Sequence, residues 1–269
     1  MGFQSGADRI ALRIRYRVVD SFHKPFLNSN RMHTFNQRLW IIFVMLCFTN
    51  LPHIIAQPGG LNSWYHFNLQ GDISDNWRFS ANVQQRFYDV PVQNSRLSLI
   101  NSSVERRING NAYVGGGYMF LLLEPYNSLG EKFSRPEHRL FQQITFNNTV
   151  SSRYNIAHRF RLEERYMFNS DFFVFRARYL FNSFWKLDQA ENSVWGLIFR
   201  HEIRMNLERE QPFDSYRIST LLAKKVRPTL SVEPGLIVQF NGYPAPTDYY
   251  LTVSVRKSLK RRIKTYKPD

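Results

Sequence analysis

Between residues 157 and 181 charged and apolar positions alternate. Arg159, Arg161, Glu163 and Arg165 fall on one side and Phe160, Leu162, Tyr166 and Phe168 on the other, with Glu164 the exception among the apolar set. A two-residue period is that of an extended strand. After the turn residues Asn169, Ser170 and Asp171 the alternation resumes, with Phe173, Phe175, Ala177, Tyr179 and Phe181 against Val174, Arg176, Arg178, Leu180 and Asn182. The two runs read as one hairpin. Each is long enough to cross a bilayer, which takes roughly 9 to 11 residues when tilted. An arginine-rich face opposite an aromatic face predicts strands with lipid on one side and an enclosed polar space on the other.

The same pattern continues along the chain. Residues 63–74 and 76–89 are separated by a tight turn, and in the second run Trp77, Phe79, Ala81, Val83 and Phe87 alternate with Arg78, Ser80, Asn82, Gln84 and Arg86. Runs follow at 96–108, 112–124, 137–150, 194–207, 214–226, 230–240 and 249–256. Asn109 and Gly110 give a strong hairpin signal, and 125–136 is a loop rich in Pro, Gly, Ser and Asn. Gly115, Gly116 and Gly117 mark bending or close approach in a curved sheet; no Lys-Ser/Thr follows them to make a phosphate loop. Pro234 requires a bulge or distortion in its strand. The runs number eleven, whereas a bacterial single-chain barrel normally has an even count. The expectation is therefore ten strands, with the 63–74 run the doubtful one, or twelve if another is hidden. The turns near Asn109, Ser151, Asp188 and Arg227 then share one side with the C-terminus, and the 125–136 loop lies on the other.

Composition fits this reading and narrows it. The 269 residues show no linker and no long repeat, so one domain is expected, and aromatic residues make up 16% of the chain. Residues 32–56 have the parts of a secretory signal: Arg38, an apolar run at 39–48 too short to span as a helix, and a cleavage-like end at Ile55 and Ala56. Cleavage near Ala56 would remove Cys47, the single cysteine, leaving no disulfide or thiolate metal site. Residues 1–31 read as an over-extended start, with Met32 as the initiator; 57–256 form the barrel and 257–269 a basic tail. The formal charge is +15, of which residues 57–269 keep +10, and seven of their cations lie between Arg256 and Lys267. No nucleic-acid recognition motif accompanies this charge. It suits phosphate-rich headgroups instead.

The Trp64-led first run, "NWRFSANVQQRFYD", "EHRLFQQ", and above all "HRFRLEERY" followed by "FRARY", resemble an outer-membrane barrel family common in Bacteroidetes, the domain of unknown function 2490. The similarity covers residues 63–256. It implies a barrel fold in the outer membrane of a Gram-negative bacterium, here an all-β, transmembrane antiparallel barrel of ten to twelve strands, and supplies no known activity or catalytic residues. The chain departs from common barrels in ending on "KSLKRRIKTYKPD" rather than on a terminal aromatic.

The alternation assigns Arg86, Glu137, Arg139, Arg159, Arg161, Glu163, Arg165, Arg176, Arg178, Arg200, Glu202 and Arg204 to one lumen. There, arginine–carboxylate pairs satisfy one another. They either plug a narrow barrel or form a cationic passage favouring small anionic solutes. Trp64, Trp77, Tyr166, Trp185, Trp195 and Tyr249 are assigned to an interfacial aromatic girdle. Expected partners are outer-membrane lipid and lipopolysaccharide and the barrel assembly machinery. Neither cofactor nor metal is expected, since no two histidines stand at i, i+2 or i, i+4. Two alternatives stay open. A barrel-embedded lipid hydrolase or acyltransferase would need a nucleophile and base in reach of each other, whereas His138, His158 and His201 fall on the apolar side. A soluble periplasmic ligand-binding barrel would have an apolar lumen and a polar exterior.

Overall fold

In the computed structural model, residues 61–90, 92–168, 172–188 and 194–259 are described. The expected signal segment and the end of the basic tail lie outside them. All eleven runs are strands: β1 (Leu61–Asp72), β2 (Trp77–Phe87), β3 (Ser95–Arg107), β4 (Ala112–Leu123), β5 (Arg135–Thr149), β6 (Tyr154–Met167), β7 (Phe172–Lys186), β8 (Trp195–Asn206), β9 (Phe213–Arg227), β10 (Leu230–Asn241) and β11 (Asp248–Leu259). Each pairs with its sequence neighbours, and β1 meets β11 to close the barrel.

The closing seam departs from the expected antiparallel pairing throughout and from the expected even count. β1 and β11 run parallel, in register from Leu61 opposite Tyr249 to Gly71 opposite Leu259. The strand doubted on parity is therefore an integral stave. A parallel ladder is only slightly weaker per residue than an antiparallel one, and closure removes both exposed edges. With an odd count the chain enters β1 at the rim of the 124–134 loop and leaves β11 at the rim of the 108–111, 150–153 and 228–229 turns. β11 also runs on to Leu259, past the expected boundary at 256.

Local chemistry sets the turns. The Asn109 side-chain oxygen accepts from the backbone N–H groups of Asn111 (3.1 Å) and Ala112 (2.9 Å), and Ser151 Oγ accepts from those of Arg153 and Tyr154, as Asx and Ser turns require. Pro234 sits in β10 without shifting the ladder: it stays opposite Val253 of β11. Pairing to β9 lapses at Glu233 and Pro234 and resumes at Gly235 opposite Leu221 in the same register. Proline has no N–H to give to one neighbour, so one gap suffices in place of a bulge.

Side chains alternate across the wall. Phe67, Ile100, Leu140 and Phe160 are about half exposed on the outside, while Glu137, Arg139, Arg161, Glu163, Arg176 and Glu202 are buried within. An apolar outer wall around a charged interior is the arrangement of a bilayer-spanning barrel and the reverse of a soluble ligand carrier.

Candidate functional site

On β5 to β9 the charged positions share the inward parity, and their spacing builds a belt along the inner wall. Arg139 donates to both oxygens of Glu137 (2.8 and 3.1 Å) and reaches Glu163 at 3.2 Å. Arg165 also binds Glu137. Glu163 further receives Arg178 and stands 3.7 Å from Arg161. Arg178 bridges onward to Glu202 at 2.6 Å, which Arg217 meets at 3.2 Å and Arg159 at 3.6 Å. Flanking pairs complete the set: Arg176 and Arg204 on Asp214 (2.6 and 3.5 Å), and Arg256 and Arg200 on Glu233 (2.9 and 3.6 Å). Outside the belt, Arg78 pairs with Glu105 and Arg96 with Asp248. Charge-assisted bonds of this kind are shorter and stronger than neutral ones and fix side-chain geometry.

Two glycines make room for the belt. A Cβ on Gly117 would fall 2.1 Å from the Ser102 carbonyl oxygen and 2.5 Å from the Phe141 ring; one on Gly115 would fall 2.0 Å from the Val104 carbonyl. Phe141 lies over that space, and the Arg161 guanidinium stacks on its ring at 3.9 Å. The sequence signal of close approach thus applies to the inner wall beside the charges.

The interior is not uniformly polar. Leu97, Leu99, Met119, Leu121 and Phe141 cluster inside β3 to β5 toward the long-loop rim, and Ile198, Leu221 and Ala223 inside β8 and β9 toward the turn rim. Because residues 119–123 are apolar on both faces, alternation could not reveal this lining. Between these patches runs a cavity of about 1650 Å³, with lining residues from both rims. Among the described residues its lining includes fifteen arginines and two lysines against seven carboxylates. Glu137 and Glu163, both 0% exposed, lie behind the arginines that contact them.

All twelve residues assigned to the lumen face inward, and eleven of them belong to the belt or its flanking pairs. Arg86 stands apart: among the described residues it meets no carboxylate and lies instead over the Trp64 ring at 3.5 Å. Trp77, Tyr166, Trp185, Trp195 and Tyr249 lie on the outer parity near the two rims. Trp64 is a correction: it faces the lumen, 3% exposed, packed with Ile237 and Tyr250. Its strand turns Asn62, Trp64, His66 and Asn68 inward against Tyr65 and Phe67 outside; the phase with Asn62, His66, Asn68 and Gln70 was readable in the sequence, and the girdle assignment set residue type above it. Arg217, Asp214, Glu233 and Asp248 were missed, as were Arg78, Arg96, Glu105 and Arg256. Arg217 was detectable from its inward phase with Ser215 and Ser219; the two aspartates stand at strand starts, where parity says little.

The outward histidines each have a tyrosine partner on the neighbouring strand: His138 with Tyr118, His158 with Tyr179 at 2.9 Å, and His201 with Tyr216. Glu164, the charged exception on the apolar parity, accepts from Gln142 Nε2 at 2.8 Å. These are local satisfactions of polar groups on a lipid-facing wall, where no water is present to do it.

A closed barrel that is apolar without and polar within is the arrangement of membrane-spanning β-barrels. Residues 61–250 match the family described as protein of unknown function (DUF2490), and the chain belongs to that family. None of the curated proteins matches it. Among solved structures it is similar to a KdgM porin, with 10% identity and a TM-score of 0.39 over 70% of this chain and 94% of that one. It is also similar to an anion-selective porin from Comamonas acidovorans, with 9% identity and a TM-score of 0.33 over 66% of this chain and 52% of the porin.

Proposed function

We propose that this protein is a passive outer-membrane channel of narrow bore that favours small anionic solutes. The observation that carries the reading is the cavity lined from both rims with cations far in excess of carboxylates. A fixed excess of one sign within a low-dielectric wall concentrates counter-ions and raises their entry rate. The apolar outer wall supports the outer-membrane address, with lipid and lipopolysaccharide around it and delivery by the barrel assembly machinery. The reading assigns no nucleophile, cofactor or metal to the work. In the test, cells express the chain from Met32 and their outer membranes are compared heated and unheated by gel mobility. The purified barrel is then placed in planar bilayers under a salt gradient. A faster unheated band and an anion-selective reversal potential are expected; recovery as a soluble periplasmic protein, or a cation-selective current, overturns the proposal.

A second reading has its own support. Glu137 and Glu163, wholly buried and held by arginines, are what a stiffening plug would contain. A folded barrel in the outer membrane that carries no current would favour that structural role.

A further inference from the structure

The belt satisfies most of the interior cations but leaves a distinct group around Trp64. Arg86 and Arg217 approach the same indole ring, at 3.5 and 4.7 Å from its centroid. Arg86 has no hydrogen-bonded partner among the described residues; its only neighbours by ring contact are Trp64 and, further off, Tyr250. Arg217, 7% exposed, spends two nitrogens on Gln239 and Glu202, and its Nη2 has no partner. Arg204, 9% exposed, has only the 3.5 Å approach of Nε to Asp214, and that Nε makes no hydrogen bond. Arg204 stands opposite Ser215 in the β8–β9 ladder, two residues from Arg217 on the same inward face, and all three arginines line the same cavity. The hydroxyl of Tyr250, a residue 1% exposed, is also without a partner.

The nearby carboxylates are already engaged. Asp248 takes Arg96 on both oxygens, at 2.8 and 3.0 Å, and Asn241 as well. Glu202 is shared among Arg178, Arg217 and Arg159. Buried donors without acceptors are costly, and a native structure ordinarily supplies the missing partner. Three guanidinium groups, which can only donate, beside a phenol whose O–H can donate as well, with the nearby carboxylates already taken, fit one kind of partner. We infer that Arg86, Arg204, Arg217 and Tyr250 form a binding site for a soluble oxyanion, a phosphate or carboxylate group, in the long-loop third of the lumen. Planar guanidinium forks match such groups bidentately, and Trp64, packed with Ile237 and Tyr250, gives the site an apolar floor. The inference deepens the channel reading, since it rests on a lumen that solutes can enter.

The test uses the full barrel folded in non-ionic detergent, so that no lipid phosphate contributes, titrated calorimetrically with inorganic phosphate at constant ionic strength. Wild type is expected to give a saturable isotherm. Arg86→Gln, which breaks no ion pair, is expected to weaken binding at least ten-fold, and Tyr250→Phe to weaken it less. Arg78→Gln, a lumen arginine already paired with Glu105, is expected to leave affinity within two-fold. Absence of saturation in wild type, or equal losses in Arg86→Gln and Arg78→Gln, would overturn the site and show a diffuse lumen field only. Bilayer current separates the two ideas. Saturable binding without current removes the channel and keeps the site, and current without saturable binding does the reverse.

Discussion

Replacing Glu163 by glutamine tests whether the belt is dry. The carboxylate is 0% exposed and receives Arg178, Arg139 at 3.2 Å and Arg161 at 3.7 Å. Glutamine keeps the shape, removes the charge and turns an amide donor toward three cations. Breaking a buried pair by removing one partner costs about 3–5 kcal/mol, because the other charge stays buried. Had water reached the pair, the loss would be about 0–1 kcal/mol, as at a surface. Partial compensation places the expectation at the low end of the buried range: Arg139 keeps Glu137, Arg178 keeps Glu202, and Arg161 keeps the Gln143 oxygen at 2.9 and 2.6 Å. The expected loss is therefore about 3 kcal/mol. The measurement is urea unfolding of the barrel in detergent micelles, followed by loss of the fast-migrating gel band, with the slope checked for constancy. A second arm combines Glu163→Gln with Arg178→Met. Removing both partners should recover part of the loss, as coupled neighbours do. A single-variant loss below about 1 kcal/mol would refute the claim that these charges are desolvated, and would describe a belt bathed by lumen water.

Three further perturbations probe the wall, the glycines and the seam. Leu162→Arg places a cation on the lipid face of β6 and should cost about 2–4 kcal/mol if the position lies near mid-bilayer; an unchanged urea midpoint would speak against a lipid-facing wall. Gly117→Ala drives a Cβ against the Ser102 carbonyl and the Phe141 ring and should abolish the fast-migrating band. Gly110→Ala, with nothing within 4 Å of the added carbon, should change stability by no more than about 0.5 kcal/mol. In a Cys47→Ser background, cysteines at Phe67 and Val255, partners in the parallel register, should cross-link under mild oxidant, whereas cysteines at Phe67 and Leu251 should not. The opposite result would remove the parallel seam.

Strand existence and face were legible because one rule, a period of two, operated over long runs with chemically opposite faces. At β6 the separation of Arg159, Arg161, Glu163 and Arg165 from Phe160, Leu162 and Tyr166 leaves no second interpretation of which residues share a side. Where both parities have similar chemistry the rule falls silent. The aliphatic run through Leu121 is such a place, and it contributes to the lumen; Trp64 failed otherwise, its residue type outweighing its phase with Asn62, His66 and Asn68. Strand number failed differently. All eleven runs were visible, but a rule about bacterial barrels outweighed the count, and nothing local in β1 or β11 announces that they pair in parallel. Partner identity was the least accessible layer. Alternation puts Glu202 and Arg178 in the same space, but their contact depends on the stagger of β7 against β8, which places Arg204 rather than Glu202 directly opposite Arg178.

That stagger bears on how a belt and a cavity coexist in one lumen. Pairs directly opposite in the ladder are often like-charged here: Arg139 faces Arg165, Arg161 faces Arg178, and Arg178 faces Arg204. Like charges opposite one another destabilise a sheet, so each arginine leans along the strand to a carboxylate two residues away, as Arg178 does toward Glu163 and Glu202. The resulting bonds run along the wall, joining neighbouring staves instead of crossing the centre. A belt of this kind stiffens the barrel and still leaves a cavity beside it. The same arithmetic of more arginines than carboxylates ensures that some guanidinium groups have no protein partner. Beside Trp64, where the wall turns from charged to aromatic, Arg86 has no hydrogen-bonded partner among the described residues and Arg204 and Arg217 are only partly satisfied, and on the inferred site a solute anion would be held there. If the belt were a plug, neutralising Glu163 would loosen it and raise conductance. On the wall-bound reading it lowers stability and leaves single-channel conductance within about two-fold, a difference that single-channel recordings of Glu163→Gln would resolve.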